Sequence, residues 1–90
     1  MGRSVTARVF RTRRAIITLT DTTLIYEPRR DPHLRVSVAR ADITEVRLIT
    51  YAYWRIPVRT DVLVHHRGSL LSIPHVGRRR AERLRAALGF

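Results

Sequence analysis

The chain has 90 residues, with 18 basic side chains against 7 acidic ones, a net charge of +11 and a hydrophobic fraction of 44%. That length allows a single domain over residues 1–90 with a modest core, and the apolar content excludes a disordered chain. Cysteine is absent, which excludes disulfides and thiolate metal sites, and no apolar run approaches the roughly 18 residues of a membrane span.

Period-two patterning dominates the first two thirds. Val5, Ala7 and Val9 alternate with Thr6, Arg8 and Phe10, which predicts a first strand beginning near residue 4. Arg11 to Arg14 is a polar connection. Ala15 to Thr20 is apolar and β-branched, a second strand. Asp21-Thr22 predicts a tight turn, since a short Asp side chain can bond the backbone just beyond it. Thr23 to Glu27 is a third strand, ended by Pro28, which cannot donate to a ladder.

Arg29 to Pro32 is a polar loop. Leu34, Val36 and Val38 predict a fourth strand, and Ala41 to Glu45 a single turn. Val46 to Trp54 is the most aromatic stretch and predicts a fifth strand, interrupted by Pro57. Val58 to His65 follows, with Val62 and Val64 facing away from Leu63. Arg67-Gly68 is a hairpin turn. Leu70 to Ile73 is the last strand, stopped by Pro74, so the strands fall within residues 4–74.

The period then changes. Gly77, Ala81, Leu84 and Leu88 are spaced four, three and four apart, on one face of a helix over about 76–88. Arg78, Arg79, Glu82, Arg83 and Arg85 cover the other face. Gly89 is a natural stop, because glycine takes the left-handed conformation that ends helices.

Seven strand candidates followed by one helix resemble the element order of a pleckstrin-homology-like barrel. Ile17-Thr18-Leu19-Thr20-Asp21-Thr22-Thr23-Leu24-Ile25-Tyr26 is similar to a hairpin of GRAM and bacterial pleckstrin-homology domains. Val38 to Val46 resembles their short lead into the next strand, and Ala81 to Leu88 their capping helix. The resemblance covers residues 14 to 90. It implies a mainly β fold with one C-terminal α-helix: a partly open barrel of about seven antiparallel strands capped by the helix. It also implies binding of anionic lipids, peptides or partner domains, without catalysis. Arg11-Thr12-Arg13 has the form of the family's basic signature in the loop between the first two strands. The lysine usual upstream of that signature is missing, and only Arg3 and Arg8 stand near its place.

The charge points the same way. All 18 basic residues are arginine, and such an excess attracts polyanions, phosphates above all. Arginine grips phosphate with a planar fork. Two clusters are candidate anion-binding residues. Arg11, Arg13 and Arg14 sit in the first connection, with Arg3 and Arg8 upstream. Arg78, Arg79 and Arg80 open the helix, where cations oppose the macrodipole. A structural alternative stands beside each: a charged strand edge that resists aggregation, and an ion pair of the helix arginines with Glu82.

Tyr51, Tyr53 and Trp54 read as core or subunit-contact aromatics ahead of base stacking or membrane contact. His65 and His66 point to opposite faces of a strand and make no metal site together. The remaining carboxylates, Asp21, Glu27, Asp42, Glu45 and Asp61, are scattered among strand ends. No catalytic spacing or phosphate-binding glycine loop is present, so neither an enzyme, a metal nor a cofactor is expected. The expected function is a binding or adaptor module for acidic lipid headgroups or an acidic protein partner. The expected location is the cytoplasm, with peripheral attachment at the inner face of the membrane. A small nucleic-acid-binding protein and a self-assembling homo-oligomer remain alternatives.

Overall fold

The computed structural model describes residues 7–90. Arg3, Val5 and the start of the strand expected from residue 4 lie outside the described residues. The chain is mainly β: among the described residues, seven antiparallel strands form two sheets, and one helix ends the chain. Among the described residues, no ladder links the two sheets into a closed barrel. The chain divides into two compact units, the first ending at Ala41 and the second beginning at Asp42. Among the described residues, no helix is long and apolar enough to cross a membrane.

The first unit is a four-stranded meander, β1 (Arg8–Arg11), β2 (Ala15–Leu19), β3 (Thr23–Pro28) and β4 (Val36–Ala39). Ala15, Ile17 and Leu19 alternate with half-buried Ile16 and Thr18, so one face of β2 carries the core. Leu24 lies opposite Leu19, and Val38 opposite Leu24. In β1 the buried residue is Phe10, opposite Ile17, while Val9 is exposed. The larger aromatic takes the inward position of β1 because it buries more apolar area. Leu34 is also exposed, in a 3₁₀ turn over Pro32–Leu34 ahead of β4.

Two threonines build the turns of this unit. Thr20 Oγ1 accepts from the Thr22 and Thr23 backbone N–H groups at 3.3 and 3.0 Å. The sequence assigned that role to Asp21; the side chain one residue earlier performs it, since a Thr hydroxyl can make the same local bonds. Thr12 repeats the device between β1 and β2, accepting from Arg14 N at 3.2 Å and Ala15 N at 2.9 Å.

The second unit is a three-stranded sheet, β5 (Ile43–Tyr53), β6 (Ile56–His66) and β7 (Ser69–Ile73), with α1 (Arg78–Ala87) packed on β5 and β6. A 3₁₀ turn over Arg40–Asp42 precedes β5. Val46, Val64 and Leu71 form one buried row across the sheet. Ala81, Leu84 and Leu88 are the buried residues of the helical segment, as their spacing requires.

Pro57 does not interrupt the chain between two strands. It lies inside β6, opposite Ala52, beside a register shift between Tyr51 and Ala52. A bulge is one of the few sheet positions that tolerate a missing N–H. The two residues before β6, Trp54 and Arg55, make the β5–β6 turn with φ of 51° and 67°. The β6–β7 turn uses Arg67 and Gly68 at φ of 47° and 78°.

Asp61 belongs to the middle of β6, not to a strand end, and is only 4% exposed. Its carboxylate accepts from Arg59 Nη2 at 2.7 Å and from the His75 backbone N–H at 3.0 Å. That second bond anchors His75 at φ 57°. Arg59 Nη1 also reaches His75 Nε2 at 3.3 Å; a guanidinium has no acceptor, so the ring nitrogen accepts. The hydrogen bond to Asp61 holds the Arg59 pKa above its ordinary value, against an opposing effect of desolvation. Asp61→Ala leaves the His75 N–H without its partner, and a loss of about 1–3 kcal/mol is expected. Thermal unfolding checks it, with a fall of roughly 4–8 °C per kcal/mol for a domain of this size.

Candidate functional site

In the first unit, four arginines line one concavity of about 370 Å³: Arg13, Arg14, Arg29 and Arg30. Hairpin arithmetic brings them together. Counting outward from the β2–β3 turn, Leu19 faces Leu24 and Ala15 faces Pro28. The next pair is Arg14 with Arg29, and their backbones remain bonded, Arg29 N to Arg14 O at 2.8 Å. One step further, Arg13 comes level with Arg30.

Thr12 is the buried anchor of this arrangement, 5% exposed. Its hydroxyl shapes the turn that presents Arg13 and Arg14. Its carbonyl accepts Arg29 Nε at 2.8 Å, which fixes one edge of that guanidinium. Among the described residues, no hydrogen bond engages the two Arg29 Nη groups, and no carboxylate lies within ion-pair distance of any of the four. Like charges on facing strand ends repel. An anion between them removes that repulsion and gains charge-assisted bonds.

Tyr26 lies near this charge. Burial raises its pKa above the ordinary tyrosine value, and the positive charge of Arg14 pulls it partly back. The folded chain thus holds the phenolic proton more tightly than the unfolded chain. The stability involved is fully present below about pH 10 and is lost as pH rises through the folded value. Tyr26→Phe is expected to remove that alkaline loss, checked by urea midpoints at about pH 9 and about pH 11.

Of the residues singled out from sequence, Arg13 and Arg14 line the concavity. Arg11 does not; it stands in β1 opposite Ile16, exposed. Arg29 and Arg30 were read only as a polar loop. The hairpin register was the signal for them, since it follows from the position of the turn.

The helix cluster has local explanations. Arg78 Nε lies 3.6 Å from Glu82 Oε1, and Arg80 Nη1 donates to Val76 O at 3.0 Å. Arg79 is exposed. Arg78 and Arg85 do line a concavity of about 470 Å³ with Leu48, Thr50 and Thr60, but Glu82 lines it too and offsets the charge. Gly77 precedes the helix without a side-chain cap.

Of the two readings of the aromatic stretch, core or subunit contact, the structure removes the first. Tyr51, Tyr53 and Trp54 are exposed, Trp54 by 81%, and none is in the core. Tyr53 and Trp54 meet edge to face at 6.1 Å, and Arg59 lies over the Tyr51 ring at 4.7 Å. Among the described residues, no three His, Asp or Glu side chains gather to hold a metal ion. No protein-family model matches the chain, and comparison with curated proteins and with solved structures finds no match.

Proposed function

We propose that this chain is a non-catalytic module that docks at anionic membranes by gripping a phosphate-bearing lipid headgroup in the Arg13, Arg14, Arg29 and Arg30 concavity. The observation that carries this reading is the meeting of four arginines, without a carboxylate among them, around one hollow. A built cluster of this kind suits the several oxygens of a phosphate better than a diffuse basic surface does. The element order supports the pleckstrin-homology-like reading: a four-stranded meander, a three-stranded sheet, then a helix on that sheet. The position of Arg13 in the β1–β2 turn agrees with the family's basic signature.

Co-sedimentation at physiological salt tests the proposal. The chain is expected to bind phosphatidylcholine vesicles carrying phosphatidylinositol phosphates and to leave pure phosphatidylcholine vesicles alone. Equal behaviour toward both would end the lipid reading. Preferential, steeply salt-dependent capture of an oligonucleotide would point to nucleic acid instead.

A further inference from the structure

Among the described residues, no third strand pairs with the far half of the β5–β6 hairpin. β7 pairs only with Val62–His66 of β6. Beyond that the chain continues as a two-stranded ribbon, from the Thr50–Thr60 pair to the turn at Trp54 and Arg55. Residues 51–58 are all exposed, and only Arg55 among them is charged. Cross-strand partners share a face. Tyr51, Tyr53 and Ile56 therefore lie on one side, and Ala52 and Pro57 on the other. Both faces are exposed, and only the Tyr51 ring, under the Arg59 guanidinium at 4.7 Å, carries a charge against it. A protein partner covers one face of a ribbon; a lipid interface surrounds it.

The turn adds an independent observation. Two-residue hairpin turns with positive φ at both positions favour Asn-Gly or Asp-Gly. Here bulky Trp54 and Arg55 occupy both, at φ 51° and 67°. Tryptophan is a poor occupant of left-handed backbone, and strain of this kind gathers at sites of function. The strained position places the chain's single tryptophan at the outermost point of the ribbon.

We infer that the Tyr51–Val58 ribbon tip inserts into the headgroup layer of an anionic bilayer, with Trp54 leading. This rests on the membrane-docking reading and names a further segment that meets the bilayer. Charge complementarity selects the anionic surface. The carboxylate next to the ribbon, Asp61, is already taken by Arg59 at 2.7 Å. Arg55 remains as the ribbon's unpaired charge, on a chain of net +11. From the Tyr51–Arg59 pair to the tip is three residues, about 10 Å at strand rise. That matches the roughly 5–10 Å to which interfacial segments sink. Trp and Tyr prefer this layer, and the Arg55 stem is long enough to return its guanidinium to the phosphates.

The test uses Trp54 as its own probe. On phosphatidylcholine vesicles containing phosphatidylserine, emission is expected to shift to the blue and to be quenched by shallowly brominated lipid. Trp54→Asn with Arg55→Gly restores a favoured turn; it should melt no lower than the wild type yet lose at least tenfold in vesicle partitioning. Tyr53→Ser with Ile56→Thr, which keeps Trp54, should lose the blue shift as well. Vesicle binding without any change in emission overturns the insertion, as does a blue shift that grows with protein concentration in the absence of lipid, which assigns the tip to a second copy of the chain. Binding of a soluble phosphorylated headgroup reports on the arginine concavity separately. It survives if only the insertion is wrong and vanishes if the docking reading is wrong.

Discussion

Leu84→Ala is expected to lower the stability by about 2–5 kcal/mol. Leu84 is fully buried on α1, and the helix packs on β5 and β6. The cost combines the lost transfer of the side chain from water with the cavity left behind. The ends of α1 offer little to compensate. Gly77 gives no side-chain cap, and the first turn holds no acidic residue to complement the macrodipole. A ten-residue helix is marginal without tertiary packing. The apolar face must therefore hold it in place. For a domain with a total of about 5–15 kcal/mol, the variant should unfold at markedly lower denaturant. Urea unfolding checks this. A midpoint within error of the wild type would mean that α1 does not close the β5–β7 sheet.

The second large effect concerns binding. Replacing Arg13, Arg14 and Arg30 by glutamine is expected to weaken association with anionic vesicles by about 3 kcal/mol, roughly a hundredfold, taking about 1 kcal/mol per exposed arginine near a charged surface. Arg29 is left in place because its Nε holds the Thr12 carbonyl, and removing it would mix a folding effect with a binding one. Stability should hold or rise slightly, since like charges on facing strand ends are relieved. The reciprocal effect follows by linkage: a phosphorylated headgroup in excess should raise the melting temperature of the wild type and not that of the variant. Vesicle titration and thermal melts with and without headgroup check the pair.

Much of this architecture was legible from patterning. The alternation of Ala15, Ile17 and Leu19 and the three-four spacing of Ala81, Leu84 and Leu88 each reflect a period that burial imposes, while Gly77, four residues before Ala81, is exposed and stands ahead of the helix. What misled was local ambiguity. In β1 both alternating sets contain apolar residues, and only packing chooses Phe10 over Val9. Pro57 looked like an interruption because a bulge leaves no mark in sequence apart from the proline itself. Trp54-Arg55 is not a turn dipeptide by composition, so the hairpin tip and the exposure of its aromatics were hidden.

The site was half visible. Arg13 and Arg14 stood out as a cluster, while Arg29 and Arg30, separated by a whole hairpin, required the register to be counted outward from Thr20–Thr23. Asp61 could not be ranked above the other carboxylates, because its importance comes from His75, 14 residues away. The helix arginines attracted attention by opposing their own dipole. Glu82 and the Val76 carbonyl account for Arg78 and Arg80 without a ligand.

Calorimetric titration with a soluble inositol bisphosphate at physiological salt decides whether the arginine concavity is the anion site. Saturable one-to-one binding is expected of the wild type, with loss of that binding in Arg13→Gln/Arg14→Gln/Arg30→Gln and its retention in Arg78→Gln/Arg79→Gln/Arg80→Gln. Equal heats from the wild type and the first variant would place the anion elsewhere.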